Sequence, residues 1–143
     1  MHKHIIALDI GTQSVRAAVV QTDGAILAIE QVKHEVDSPE TNWAQQNPDA
    51  WWTNLCQAIR QVLKTTDIAP QSIAAIGTCG QMHGPVGLDE AGQVTTSWVQ
   101  LWCDKRCADQ CETLRRDHDE PALAQIAGSS VNPAWTGLKV RWI

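Results

Sequence analysis

Apolar residues dominate three early stretches of the chain, 4–10, 15–21 and 25–34. The first is a nearly unbroken apolar run that ends in Asp9-Ile10-Gly11-Thr12, the pattern of a buried strand running into a turn. The second is apolar and rich in β-branched residues, which suits a pleated strand. Asp23-Gly24 stands between the second and third and provides the residues that a tight hairpin needs. The third alternates loosely. Together they predict an antiparallel β-meander.

Polar residues fill 39–47, which reads as a loop. Asn47-Pro48-Asp49 then makes a helix start: Asn47 can cap, Pro48 suits the first helical position, and Asp49 suits the positive end of the helix dipole. Trp52, Leu55, Ile59, Val62 and Leu63 recur at helical spacing, predicting a helix over 48–64 with one apolar face. Pro70 interrupts the pattern. Residues 72–78 read as a buried strand, with Gly80-Gln81-Met82-His83-Gly84 as the loop at its end. Short strands are expected at 85–89 and 94–99 around Glu90-Ala91-Gly92. Helices are expected at 104–116 and 121–127, the second closed by Gly128. The tail 129–143 mixes loop residues with Leu138, Val140, Trp142 and Ile143, four side chains expected to leave apolar surface exposed.

Composition narrows the function classes. A chain of 143 residues, 43% hydrophobic and 19% charged, can bury a core of ordinary domain size. A net charge of -5 argues against a general nucleic-acid or acidic-membrane binder, which needs a basic face to displace counterions. It leaves room for one phosphate group held by backbone N–H groups and a single cation. No apolar stretch approaches the length of a membrane span, and the N-terminal run before Asp9 is too short for a signal peptide. The expectation is a cytoplasmic protein whose five cysteines are reduced thiols. Cys103, Cys107 and Cys111 recur every four residues. Thiolates on one side of a helix could bind a soft metal, but no fourth ligand is evident, and core thiols are the stronger reading.

Four local patterns carry candidate chemistry. In Asp9-Ile-Gly11-Thr12-Gln13-Ser14-Val-Arg16, Gly11 permits a tight turn close to phosphate, and Thr12 and Ser14 supply donors. Arg16 offers a charged fork, and Asp9 can hold a hydrated Mg²⁺. A plain β-turn explains the same residues about as well. The segment Asn42 to Trp52 includes Gln45 and the helix start, and packing accounts for it. Gln81-Met82-His83-Gly84 follows an apolar strand at its carboxyl end, where α/β sheets place ligands. Trp102-Cys103-Asp104-Lys105-Arg106 combines an acid and a base that could pair and orient hydroxyl groups. It reads equally as Asp104 capping the helix with Lys105 and Arg106 on the surface.

In this order, with Trp135-Thr136-Gly137-Leu138-Lys139-Val140-Arg141-Trp142-Ile143 behind them, these patterns resemble the FGGY family of carbohydrate kinases, above all its xylulokinase-like members. Gln45 stands where many members have Glu, and Gly137-Leu138 departs from their common pair. The resemblance, with the β-β-β-α-β-α order, implies an α/β fold with the ribonuclease-H-like mixed sheet and flanking helices of the actin, Hsp70 and sugar-kinase superfold. It implies ATP and Mg²⁺ as cofactors, with Asp9, Gly11, Thr12, Gln13, Ser14 and Arg16 at the phosphates and Asp9 at the metal. It also implies a sugar near Gln81, Met82, His83, Gly84, Asp104 and Arg106. The implied activity is ATP-dependent phosphorylation of a sugar hydroxyl, a ketopentose such as xylulose first. The catalytic base would be an Asp beyond Ile143, and the adenosine-binding segments would lie in a second domain. Residues 1–143 are therefore expected to be part of an N-terminal domain, a fragment inactive by itself. The implied partners are sugar and ATP, with neither nucleic acid nor membrane. Oligomeric state is open, a homodimer of the full-length enzyme being one arrangement. The rival is a non-catalytic actin-like nucleotide-binding domain. The first pattern fits it, and Gln81-Met82-His83-Gly84 argues against it.

Overall fold

The structure, a computed structural model, describes residues 4–143. Its elements run β1 (His4–Ile10), β2 (Ser14–Gln21), β3 (Ile26–Lys33), β4 (Gln45–Gln46), α1 (Pro48–Thr66), β5 (Ile73–Gly80), β6 (Val99–Gln100), α2 (Ala108–Asp117), α3 (Glu120–Ala127) and α4 (Thr136–Trp142). They divide between two compact units. One comprises Met1–Glu35 and Asn47–Gln81, the other Val36–Gln46 and Met82–Ile143.

In the first unit the predicted meander forms. β1 and β2 pair antiparallel with Asp9 opposite Arg16, and β2 pairs antiparallel with β3. The β2–β3 turn contains Gly24 at φ 95°, a left-handed conformation that glycine adopts without steric cost. β5 joins the far side of β1 in parallel, placing Gly80 beside Ile10, and the sheet order is β3-β2-β1-β5. Alternation along the strands sends Ile6 and Leu8 of β1, and Val15, Ala17 and Val19 of β2, to one face. There they meet Leu55, Ala58 and Val62 of α1. Burying each such Val or Leu contributes about 1.5–3 kcal/mol, so this cluster holds α1 to the sheet. The helix starts as its residues dictate: the Asn47 side chain accepts from the Asp49 N–H at 2.8 Å, and Pro48 follows the cap.

Two expectations for this unit are corrected. Trp52 is not on the buried face; it is 68% exposed. The buried line runs through Leu55, Ala58 and Val62, and one helical turn back it passes through half-buried Trp51, about 100° around the helix from Trp52. The strand expected to be buried at 72–78 forms as β5 but is exposed from Ala74 to Gly80. α1 packs mainly over β2 and β3, and β5 is the end strand of the sheet, flanked only by β1.

The second unit is built on pairings the local sequence does not announce. Gln45 and Gln46, expected in a loop, pair antiparallel with Gln100 and Val99, and all four are buried. The strands expected at 85–89 and 94–99 shrink to a Leu88–Val94 bridge and to β6. The helix expected from 104 begins at Ala108, and its cap is Cys107, which makes no side-chain capping bond. Asp104 is therefore not the cap; its carboxylate has other partners, described below. The tail contains an unpredicted helix, α4, which places Leu138 and Lys139 inside. Leu138 joins Cys107, Cys111 and Val131 in a core cluster, so of the four tail residues only Val140, Trp142 and Ile143 are exposed. Lys139 is fully buried, its Nζ donating to the carbonyls of Leu101 and Gln100. Desolvation pushes its pKa below the ordinary lysine value, and Asp104 partly offsets this. All five cysteines are free thiols. No helix among the described residues is long and apolar enough to cross a membrane.

Candidate functional site

The turn between β1 and β2 is fixed by backbone bonds. The Gly11 N–H donates to the Ser14 carbonyl at 3.0 Å, and the Gln81 N–H, just after β5, donates to the Ile10 carbonyl at 2.9 Å. A Cβ on Gly11 would lie 3.2 Å from the Ser14 carbonyl oxygen, and one on Gly80 would lie 3.3 Å from the Ile10 carbonyl oxygen. At both positions the backbone approach is tighter than a side chain ordinarily makes, so a Cβ would force the neighbouring carbonyl to yield by a few tenths of an ångström. Thr12 Oγ1 donates to Gln81 Oε1 at 3.4 Å, tying the turn to the end of β5. His34, at the end of β3, reaches the same turn. Its Nε2 contacts the Gly11 carbonyl at 2.8 Å, and its N–H donates to the Gln13 carbonyl at 3.1 Å.

All six residues expected at phosphate come together here. Asp9, Gly11, Thr12, Gln13, Ser14 and Arg16 line one cavity of about 230 Å³. Arg16 Nη1 stands 3.8 Å from Asp9 Oδ2, with both side chains substantially exposed. An exposed pair at that distance contributes at most about 1 kcal/mol, so little holds either group back from a ligand. The other Asp9 oxygen accepts weakly from Cys79 Sγ at 3.6 Å. Partial desolvation and the adjacent carboxylate push the Cys79 thiol's pKa up. Among the described residues no cluster of three or more His, Cys, Asp or Glu could hold a metal ion. A single carboxylate beside a phosphate-sized hollow does fit Mg²⁺, which keeps most of its waters and takes one or two protein oxygens.

The other predicted residues lie in the second unit, apart from Gln81. Met82 and His83 are exposed. His83 sits at φ 67°, in the left-handed region, which costs a non-glycine residue roughly 1–2 kcal/mol. A Cβ on Gly84 would stand 2.8 Å from Val99 Cγ1, so packing against β6 accounts for that glycine.

Asp104 and Arg106 form a buried pair, with side chains 0% and 5% exposed and Arg106 Nη2 2.7 Å from Asp104 Oδ2. Arg106 Nε donates to both carboxylate oxygens at 3.0 and 2.9 Å. Asp104 also accepts the backbone N–H groups of Ala44 at 2.7 Å and Arg106 at 2.9 Å. This full set of partners explains why Asp104 is spent on the loop and not on capping α2. Arg106 Nη2 donates to Gln45 Oε1 at 2.8 Å, and Gln45 Nε2 donates to Asp37 at 2.8 Å. Gln45 therefore needs one acceptor and one donor, which an amide has. A carboxylate there would meet Asp37 as a like charge and could not donate to it. The guanidinium lies 3.7 Å from the Trp43 ring centre and 5.2 Å from that of Trp142, the two rings being edge to face. Arg106, Gly84, Trp43, Trp98, Gln100 and Trp142 line a cavity of about 950 Å³.

Sequence reasoning missed His34, Trp43 and Trp142. A lone His after a strand and two tryptophans about 100 residues apart carry no local signal of what they touch.

The antiparallel meander with a parallel fourth strand, and a glycine turn between its first two strands, defines the ribonuclease-H-like fold of the actin, Hsp70 and sugar-kinase proteins. The chain belongs to the FGGY family of carbohydrate kinases: the family model of the N-terminal domain matches residues 4–143. It is 33% identical over 143 residues to a glycerol kinase of Nitrobacter hamburgensis, covering 100% of this chain and 28% of that protein. Among solved structures it resembles a xylulose kinase from Rhodospirillum rubrum, with a TM-score of 0.88 at 29% identity, covering 99% of this chain and 29% of the other. A Plasmodium falciparum glycerol kinase solved with ADP shares the fold, with a TM-score of 0.85 at 18% identity over 97% of this chain and 28% of that one. The chain thus spans less than a third of the length of the relatives it matches.

Proposed function

We propose that this chain supplies the phosphate loop and part of the sugar wall of an ATP-dependent sugar kinase acting in the cytoplasm. One observation carries the reading: the six loop residues share a cavity at the end of β1, with Asp9 and Arg16 facing each other beside it. The Gly11 turn lets backbone approach phosphate oxygens, Thr12 and Ser14 offer hydroxyl groups, and Arg16 neutralises charge. Asp9 would hold the hydrated Mg²⁺, which supplies further charge neutralisation at the phosphates. Gln81, Met82, His83 and Gly84 are the residues offered to the sugar by the resemblance, and the buried Asp104–Arg106 pair fixes its own loop. The sugar hydroxyl loses its proton to a general-base carboxylate of the full kinase. Its oxygen then bonds to the γ-phosphorus as the bond to the bridging oxygen of ADP breaks. Positioning and charge neutralisation account for most of the acceleration in such a transfer.

Xylulose or another ketopentose is the first candidate substrate. The Gln81-Met82-His83-Gly84 run and the likeness to the R. rubrum xylulose kinase support it. Glycerol is the second, supported by the N. hamburgensis relative. A coupled assay of ADP release, run on the full kinase with xylulose, other ketoses and glycerol, separates them. Turnover with glycerol alone would refute the ketose. Asp9→Ala should lower kcat on the order of 100-fold or more while sugar binding changes little, because loss of charge stabilisation acts on the transition state. Unchanged turnover in a folded Asp9→Ala protein would remove Asp9 from the mechanism.

A further inference from the structure

We infer that His34 is a positioning residue of the phosphate loop, holding the Gly11 and Gln13 carbonyls so that the loop presents its N–H groups in one fixed direction. The inference rests on the phosphate reading of that loop. The turn between β1 and β2 is short; the Gly11 N–H to Ser14 carbonyl bond closes it, and Gln81 braces it from the side of β5. His34 engages it twice, through Nε2 to the Gly11 carbonyl at 2.8 Å and through its own N–H to the Gln13 carbonyl at 3.1 Å. A carbonyl only accepts, so Nε2 carries the hydrogen. Nδ1 is buried without a hydrogen-bond partner, which leaves the contact to the turn as the ring's one hydrogen bond. In a trans peptide the N–H of the next residue points opposite the carbonyl. Anchoring the Gly11 and Gln13 carbonyls therefore sets the directions of the Thr12 and Ser14 N–H groups, and both residues line the phosphate-sized cavity. His34 also borders a second hollow of about 510 Å³ together with Gln13, Ser14, Arg16, Lys33 and Glu35. The cavity at the phosphate loop is lined by Asp9, Gly11, Thr12, Gln13, Ser14 and Arg16, so His34 can hold the turn without occupying the anion's place.

The test uses this chain itself, with inorganic pyrophosphate as the probe. The first readout is the imidazole nitrogen spectrum of the wild type, in which His34 should be the Nε2–H tautomer; an Nδ1–H tautomer overturns the inference without any variant. The second is pyrophosphate affinity, followed by the amide signals of Thr12 and Ser14. His34→Ala and His34→Asn should bind about two- to tenfold more weakly, the loss expected for one neutral hydrogen bond. His34→Gln can place an amide donor near the Nε2 position and should stay close to wild type. A merely structural histidine would show no such division between Gln and Asn. Equal affinity in all four proteins overturns the inference. Absence of any pyrophosphate response in the wild type overturns the phosphate reading, and the inference falls with it.

Discussion

Replacing Arg106 by Ala should destabilise the second unit by about 3–5 kcal/mol, the range for breaking one partner out of a buried ion pair. The structure indicates where that comes from. Asp104 is fully buried and would lose three bonds from the guanidinium, at 3.0, 2.9 and 2.7 Å. Gln45 would lose its 2.8 Å donor, and Trp43 a cation over its ring at 3.7 Å, worth about 0.5–2 kcal/mol. Asp104 would keep the backbone N–H groups of Ala44 and Arg106, which prevents a still larger loss. Against a typical domain stability of about 5–15 kcal/mol, the variant should lose a large fraction of its stability. Arg106→Lys should fall between, because an ammonium keeps the charge but not the planar fork. Asp104→Asn combined with Arg106→Ala should cost less than the sum of the two singles, since no unpaired charge remains and the Asn oxygen can still accept one backbone N–H. The coupling should be on the order of 1–3 kcal/mol. Urea unfolding followed by tryptophan fluorescence measures the wild type, Arg106→Ala, Arg106→Lys, Asp104→Asn and the double variant. A loss below about 1 kcal/mol for Arg106→Ala would place the pair among ordinary surface bridges and refute the reasoning.

Three further outcomes are expected. In the full kinase, His83→Ala should raise KM for the sugar about two- to tenfold, one neutral hydrogen bond's worth, with less change in KM for ATP; equal rises would indicate a general defect. Gly84→Ala should cost about 1–3 kcal/mol through overpacking against Val99, whereas Gly77→Ala, with nothing within 4 Å of its Cβ, should be far milder; similar melting shifts would refute the packing account. Burial pushes the Cys107 and Cys111 thiols up from 9.0. The folded state then holds their protons more tightly, so their contribution is present below pH 9 and is lost as pH rises through the folded values. Lys139, pushed down from 10.5, acts oppositely, stability rising with pH up to that value. The check is therefore a difference: Cys107→Ala with Cys111→Ala should lose stability less steeply above pH 9 than wild type, and parallel curves would exclude the thiols.

The meander and α1 could be read from the sequence because their signals are local. Asp23-Gly24 and Asn47-Pro48-Asp49 mark their own turn and cap, and strand alternation marks its own face. The six phosphate-loop residues are nearly contiguous, so one turn necessarily gathers them. What was not legible depends on distant partners. Gln45 and Gln46 have no strand propensity of note, and their pairing is made by Val99 and Gln100. Asp104 preceded a helical pattern and looked like its cap, yet the N–H of Ala44, 60 residues earlier, takes one of its oxygens. α4 stayed hidden because Lys139, polar by type, lies in the core with its ammonium on backbone carbonyls. The apolar run of β5 read as buried, and only the sheet order shows it as an end strand.

The interleaving of the two units has a consequence for how the chain acquires its structure. β4 leaves the ribosome before α1 and β5, but its partner β6 follows more than 50 residues later. During that interval the meander can close locally and α1 can dock on it, since each of those pairings joins near neighbours. The Gln45–Gln46 backbone must wait, and so must Asp37, whose bonds run to Gln45. Closing so long a loop costs entropy before any contact repays it, and such non-local pairing is slow. The meander and α1 should therefore gain hydrogen-exchange protection early, and β5, whose partner β1 lies still further away in sequence, should gain it later. The Trp43–Arg106–Trp142 stack should also form late, because its two rings lie far apart in the sequence.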